Sequence, residues 1–388
     1  MNNYRDLLSH KGVVRVMSSQ LLARFAFGMM SIGFVMHIQA TQGSYAIAGI
    51  ALGAETVGAA ISGPVLGRKI GVWGVRRVIG WATVITSLCI LAIALLKLPA
   101  IAVIVLALIV GLTSPPIQSA TRTIYPTITP EKHRQLMFSL DATIQELIWI
   151  VGPVLATVIA ATFYPAITLI LMAVIQVAGS AWFLSNKEIT GLKIPAASSR
   201  LGGVLKHRTV FSLVIIGTLL VGSFSGVEVG TVAILDLSTA GWVIAALSLG
   251  SMVGGFAMGP RAKTKFALTK FMTLVTAGYL LAFLLPNNPW WLALCWFIAG
   301  LGIAPILGLL SVSVSRVLSL GDTAEAYGWI NTGQLMGYSA GAAVAGIAID
   351  TVSPQSALLV SAVCGVATLV AALVSVSVMP SMESEKTK

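Results

Sequence analysis

Long apolar runs separated by short polar breaks fill this chain. A helix needs about 20 apolar residues to cross a bilayer's hydrocarbon core. Runs of that kind cover 15–39, 45–67, 78–96, 100–121, 137–160 and 164–185. Six more cover 210–235, 239–260, 268–286, 290–314, 325–349 and 355–379. Turn-forming breakers lie between them: Gln42-Gly43-Ser44, Leu98-Pro99, Tyr164-Pro165, Asn287-Asn288-Pro289 and Ser353-Pro354. The pattern predicts an all-α membrane protein with twelve transmembrane helices. A β-barrel would instead show alternating segments of roughly ten residues.

Composition supports the same class. Of 388 residues, 57% are hydrophobic and 10% charged. Soluble domains carry about 25% charged residues, so this chain has too few charges to cover a water-facing surface. The net charge of +11 need not imply nucleic acid, because Lys and Arg gather in the cytoplasmic loops of membrane proteins. With a cytoplasmic N-terminus, 22 of the 24 Lys and Arg residues fall on the cytoplasmic side. Lys97 falls outside and Arg24 falls within a span. Twelve spans therefore place both termini in the cytoplasm. Cys89, Cys295 and Cys364 sit in apolar runs without ligand spacing and read as small hydrophobes. His10, His37, His133 and His207 likewise share no ligand spacing, so neither a metal nor a cofactor is expected. No cleavable signal peptide or glycosylation acceptor is evident.

The longest loop, 186–209, is basic and lies near the middle of the chain. It divides an N-terminal six-helix bundle, 1–185, from a C-terminal one, 210–388. Gly111-Leu112-Thr113-Ser114-Pro115-Pro116-Ile117 and Gly300-Leu301-Gly302-Ile303-Ala304-Pro305-Ile306 share one spacing of Gly, Leu, Pro and Ile. At the same offset Gln145 matches Gln334 and Gly152 matches Gly341. Spans 2 and 8 both end in Gly-Pro, at Gly63-Pro64 and Gly259-Pro260. Two parallel repeats with a site between them are a transporter design.

The stretch from Gly63 to Arg77 carries a family resemblance over essentially the whole chain. Gly67, Gly74, Arg76 and Arg77 match the loop motif after helix 2 of the major facilitator superfamily. The family's Asp, which helps lock the cytoplasmic gate, falls at Gly71, and its following Arg falls at Val72. Ile148 to Thr157 resembles the antiporter motif of helix 5 through its Gly152-Pro153 core. The family's helix-4 arginine is missing, since Arg122 lies at the cytoplasmic end. An Arg in helix 1 and a Gly-Ser turn before helix 2 resemble bacterial efflux-type members, the drug and sugar exporters. The resemblance implies the major facilitator fold, with helices 3, 6, 9 and 12 facing lipid. It implies gating roles for Gly63, Gly67, Arg68, Gly74, Arg76, Arg77, Gly152 and Pro153.

A charge at mid-bilayer costs at least about 2.5–3.5 kcal/mol, so such residues usually face the protein interior and work there. Arg24, Glu55, Asp141, Glu146 and Glu228 are of this kind, and spans 3, 6, 9 and 12 have none. Arg24 shares a helical stripe with Gln20, Phe27 and Ser31. It is a counter-charge, a contact for an anionic substrate group or a fixed structural pair. A carboxylate in a low-dielectric site is disposed to hold a proton. Glu146 is therefore the expected proton carrier, with Glu55 or Glu228 assisting; the alternative is a permanent pair with Arg24. Asp141 reads as a gate partner for Arg122 or for Arg76 and Arg77. Asn331, Gln334 and Tyr338 on span 11 and Gln118 on span 4 are candidate substrate contacts, or else helix-packing groups. Gln118 lies beside the Pro115-Pro116 kink, whose freed carbonyls need polar partners.

Gly337-Tyr338-Ser339-Ala340-Gly341 fits the hydrolase nucleophile elbow, but it lacks the strand-turn-helix context and a nearby His, so close helix packing explains it better. No phosphate-binding Gly-rich loop occurs, which excludes ATP-driven pumping by this chain. The expectation is a monomeric secondary active transporter and not an enzyme. It exchanges protons for a small amphipathic organic compound across a bacterial inner membrane. An uptake symporter or facilitator on the same fold, and a non-transporting sensor or scaffold, are the alternatives.

Overall fold

A computed structural model describes residues 2–380 apart from Leu192, Ser199, Pro260, Arg261, Lys263 and Lys265, and without the side chains of Asn2, Asn3, Thr190, Leu237 and Ser238. Pro260 of the second Gly-Pro pair, and Arg261, Lys263, Lys265, Lys386 and Lys388 of the charge census, lie outside the described residues. A short amphipathic α1 (Asn2–Ser9) precedes α2 (Val13–Gln42), α3 (Tyr45–Trp73), α4 (Val75–Leu95), α5 (Ala100–Leu112), α6 (Ile117–Ile128), α7 (Glu131–Thr162) and α8 (Pro165–Leu184). The one-turn α9 (Lys187–Thr190) lies in the central loop. Then come α10 (Arg208–Ile234), α11 (Leu237–Met258), α12 (Ala267–Leu281), α13 (Pro289–Val317), α14 (Leu320–Thr351) and α15 (Ala357–Val374).

Among the described residues, eleven helical segments are long and apolar enough to span a bilayer, with α5 and α6 forming one of them. A further long helix, α14 (32 residues), falls outside that set. The chain is a multi-pass, all-α membrane protein.

The breakers act as their chemistry dictates. Gly43 ends α2 at φ +68, and the Ser44 hydroxyl accepts from the Ile47 amide to cap α3. The Asn288 side chain caps α13 by accepting from the Trp290 and Trp291 amides, at 3.0 and 3.1 Å. Between α5 and α6 the Pro115-Pro116 pair interrupts the helix. Thr86 of α4 donates to the freed Thr113 carbonyl at 2.8 Å, which supplies the polar partner that an interrupted membrane helix requires.

Contacts group the chain into two compact units. Unit 1 comprises Met1–Thr129, Leu147–Val204 and Ser319–Thr332; unit 2 comprises Pro130–Glu146, Leu205–Leu318 and Gly333–Lys388. Each unit thus takes the opening turns of a long helix from the opposite half of the sequence. The exchanged pieces, the start of α7 and the start of α14, are equivalents at the offset of the internal repeat.

Glycines carry that repeat into the packing. In unit 1, a Cβ on Gly111 would overlap the Glu55 carbonyl and Ala59 amide of α3. In unit 2, a Cβ on Gly300 would overlap the Leu247 carbonyl and Ser251 amide of α11. Gly152 of α7 meets the backbone of Gly28 in α2, and Gly341 of α14 meets Gly222 in α10. Lipid offers no hydrophobic drive for helix association, so close van der Waals approach at small residues takes over that role. Gly337 also packs on Thr218 of α10. The elbow-like stretch at 337–341 is therefore a packing seam. Unit 1 adds an apolar cluster around Met29, Phe34, Ile90, Leu169 and Met172.

Candidate functional site

The membrane-embedded charges occupy different settings within the two units. In unit 1, Arg24 is buried on α2 and donates to Gln20 Oε1, one turn earlier, at 2.8 Å. Glu55 is buried on α3, where Thr56 donates to it at 3.5 Å. Its carbonyl lies against Gly111, so the backbone bearing Glu55 is fixed by the repeat packing. Gln118 is half-buried in the first turn of α6.

In unit 2, Glu146 is half-buried on α7 and accepts from Ser251 Oγ of α11 at 2.8 Å, with Ser248 also bonded to it. Both partners are neutral hydroxyls. Ser251 is placed by the close α11–α13 packing, since its amide is the group that Gly300 leaves room for. Glu228 is half-buried near the end of α10, and the Tyr338 hydroxyl of α14 donates to it at 2.5 Å. Gln334 is half-buried one turn before Tyr338, while Asn331 belongs to the part of α14 in unit 1.

The loop-motif residues gather at one end of unit 1. Gly74 takes φ +81 between α3 and α4, a conformation that favours glycine. Gly63 and Gly67 face the backbone of Gly328 and Ala324 on α14 at close range. Arg68 pairs with Glu325 of α14 at 2.8 Å. Arg76 and Arg77 are exposed in the first turn of α4. Arg122 is buried on α6, and Asp141 is fully buried on α7 in unit 2. Gly152 meets Gly28, and Pro153 follows it inside an unbroken α7.

Glu325 was not among the residues the sequence singled out, nor were Asp322, Ser248 and Ser251. The apolar run predicts a helix from 325, whereas α14 begins at Leu320. Likewise α7 begins at Glu131 and not 137. Hydropathy stops at the first charges, but helical hydrogen bonding does not. The signal for α14 is Ser319-Leu320-Gly321-Asp322, a Ser-x-x-Asp start of the capping-box kind. Ser319 Oγ donates to Asp322 Oδ2 at 2.9 Å, so the two residues are joined side chain to side chain.

The central loop closes on this same end. Asp322 accepts from the Ser198 amide at 3.0 Å and from the Ser198 hydroxyl at 2.6 Å. Glu325 accepts from the Gly202 amide at 2.7 Å and from Trp329 Nε1 at 3.4 Å. Gly71 and Gly321 leave room for the backbone of Pro195 and Ala196. Position 71, where the family motif carries Asp, is thus filled by the linker, and the carboxylates at this end come from α14.

The fold matches solved transporter structures. A human organic anion transporter, MFSD10 (TETRAN), aligns over 93% of this chain and 98% of its own, with TM-score 0.73 and 15% identity. A bacterial homologue of the iron transporter ferroportin, in an outward-facing state, aligns over the same shares with TM-score 0.76 and 14% identity. The E. coli fucose:proton symporter does so with TM-score 0.73 and 14% identity. No curated protein sequence matches the chain. The Major Facilitator Superfamily model matches residues 16–235 and 227–388. With that match across nearly the whole length and an all-α fold shared with known transporters, the chain belongs to the Major Facilitator Superfamily.

Proposed function

We propose that the chain is a secondary active transporter that exchanges protons for a small amphipathic organic compound, working by alternating access in a bacterial inner membrane. The observation that carries this reading is Glu146. It is a carboxylate within a membrane span whose partners, Ser248 and Ser251, are neutral hydroxyls on another helix. Among the described residues no cation pairs with it, and a charge inside a membrane is costly, so such a residue reads as part of a proton or substrate path. A proton arriving on Glu146 removes the charge and a strong acceptor, which weakens the hold of α7 on α11. Glu146 is also the last residue of the exchanged piece of α7.

In this reading the two sequence halves, 1–185 and 210–388, rock about a central site. Glu55 and Glu228 assist the proton step, and Arg24, Gln118, Asn331, Gln334 and Tyr338 contact the cargo. The cluster of Gly63, Gly67, Arg68, Gly74 and Glu325 forms the cytoplasmic gate, with Arg76, Arg77, Arg122, Asp141, Gly152 and Pro153 as supporting parts. Both termini lie in the cytoplasm and the monomer is the working form. The Gly152-Pro153 pair supports export over uptake.

The test is proton movement in sealed everted vesicles. A pH gradient is imposed, and cationic, neutral and anionic amphiphiles are added singly. Export predicts that one class dissipates the gradient and that Glu146→Gln abolishes the response. An unchanged response in that variant overturns the role of Glu146, and no response to any class overturns proton-coupled export of these compounds.

A further inference from the structure

Two polar side chains inside unit 1 bond to no protein group among the described residues. Gln176 of α8 is fully buried, and both its Oε1 and its Nε2 are unpartnered. Ser87 of α4 is 4% exposed, and its Oγ is unpartnered as well. Buried polar atoms are rarely left so, because burial strips each of its bonds to water.

The packing brings the two residues together. Thr83 of α4 donates to Ser180 Oγ of α8 at 3.0 Å. Two spans, α5–α6 and α7, separate these helices in the chain, so they run in opposite directions. One turn on from Thr83 is Ser87, and one turn back from Ser180 is Gln176. The internal repeat checks this register. At the offset relating Gly152 to Gly341, Ser87 corresponds to Thr276 of α12 and Gln176 to Gly365 of α15. In unit 2 that pair is in direct contact, with Thr276 Oγ1 donating to the Gly365 carbonyl at 3.1 Å. Another set of equivalents agrees: Thr86 bonds to Thr113, and Val275 lies against Gly302.

Comparison of the units shows why Gln176 lacks a protein partner. Over Gly365 lies the ring of Tyr279, whose hydroxyl shares a hydrogen bond with Ser223 Oγ of α10 at 2.9 Å. In unit 1 the place of Tyr279 is taken by the shorter Ile90, and Gln176 adds a side chain where unit 2 has glycine. Gly28 and Gly222 are equivalents, since they meet Gly152 and Gly341, so Ser223 corresponds to Met29. Where Tyr279 finds a hydroxyl on α10, the matching place on α2 is a fully buried methionine.

We propose that Ser87 and Gln176 form a binding site for one ordered water molecule between α4 and α8. An internal water typically makes about three hydrogen bonds, and Ser87 Oγ, Gln176 Oε1 and Gln176 Nε2 can supply them. The water accepts from Nε2, donates to Oε1 and shares its remaining bond with the Ser87 hydroxyl. It joins α4 to α8 in unit 1, where a direct hydrogen bond joins α12 to α15 in unit 2.

The test is a crystal structure of the full chain grown in lipid, at a resolution that shows ordered water. Density is expected within hydrogen-bonding distance of Ser87 Oγ and of the Gln176 amide. Its absence, or a Gln176 amide bonded directly to Ser87 or to backbone, overturns the site. Radiolytic hydroxyl labelling in nanodiscs gives a second readout, because it marks buried side chains only where water lies beside them. Met29 and Met172 are fully buried, and Met172 is one turn from Gln176. Both should be labelled in wild type and several-fold less in Gln176→Leu, while the fully buried Met272 of unit 2 should not change. Ser87→Ala removes one of the water's partners and should lower the labelling too; it carries the test if Gln176→Leu does not fold. Unchanged labelling of Met29 and Met172 in a folded variant overturns the site.

Discussion

Arg68 Nη1 meets Glu325 Oε2 at 2.8 Å, an ion pair between residues 257 positions apart in the chain. The Glu325 side chain is fully buried and that of Arg68 is 25% exposed. Glu325 also takes the Gly202 amide and the Trp329 indole N–H, so three donors surround one buried acid. Removing one partner of a buried pair costs about 3–5 kcal/mol, mostly for the orphaned charge. The exposure of Arg68 places this case at or below the low end. The expected order of thermal stability in detergent is therefore wild type, then Arg68→Ala/Glu325→Ala, then Arg68→Ala alone. A double variant no more stable than Arg68→Ala would mean that the bonds Glu325 makes to Gly202 and Trp329 outweigh the cost of its orphaned charge.

The clamp of the linker on α14 gives a separate prediction. Asp322 holds the Ser198 amide and hydroxyl, and Lys193 and Arg200 on either side are exposed. Asp322→Asn replaces a charged acceptor with a neutral one, and charge-assisted bonds are roughly twice as strong as neutral ones. Trypsin should then cut the linker after Lys193 and Arg200 several-fold faster than in wild type. Equal digestion rates would show that these hydrogen bonds do not hold the segment.

How much of this was legible in the sequence depends on the range of each interaction. The spans were legible because burial in lipid imposes apolar runs of fixed length. The repeat was legible because close helix approach demands glycine, and Gly111, Gly300, Gly152 and Gly341 are needed at matching places. Gly43, Ser44 and Asn288 announce helix ends through local hydrogen bonds. Glu325 lay at the edge of an apolar run and gave no sign of its partner, since Arg68 reaches it only through folding. The serines that hold Glu146 were equally silent, because Ser248 and Ser251 resemble any small residues of a membrane helix. Glu228 and Tyr338 were each singled out, but only the packing of α10 on α14 reveals that they touch.

The glycine packing predicts a sharp contrast between positions. Gly111→Leu and Gly300→Leu would drive a side chain into a neighbouring backbone, where no rotamer can relieve the overlap. Both should abolish the folded, monodisperse protein on size-exclusion chromatography. A Cβ on Gly53 or Gly346 would meet nothing within 4 Å, so Gly53→Leu and Gly346→Leu should elute as wild type. If all four behaved alike, backbone approach would not be the constraint.

Glu146→Gln should separate driven transport from exchange. Glutamine keeps the size of the side chain and an oxygen that can accept from Ser251 Oγ, now 2.8 Å from the acid. It cannot exchange a proton, so the two faces of the membrane lose their coupling at that point. Uphill accumulation should fall to the background rate, while counterflow of a preloaded substrate down its own gradient should persist. Ser251→Ala provides the contrast, because it removes a hydrogen-bond donor but leaves the titrating group. It should lower driven transport without abolishing it, and move its dependence on external pH. Loss of counterflow together with accumulation in Glu146→Gln would assign the residue to substrate binding instead. Retention of both would remove Glu146 from the proton path and make Glu55 and Glu228 the next carboxylates to test.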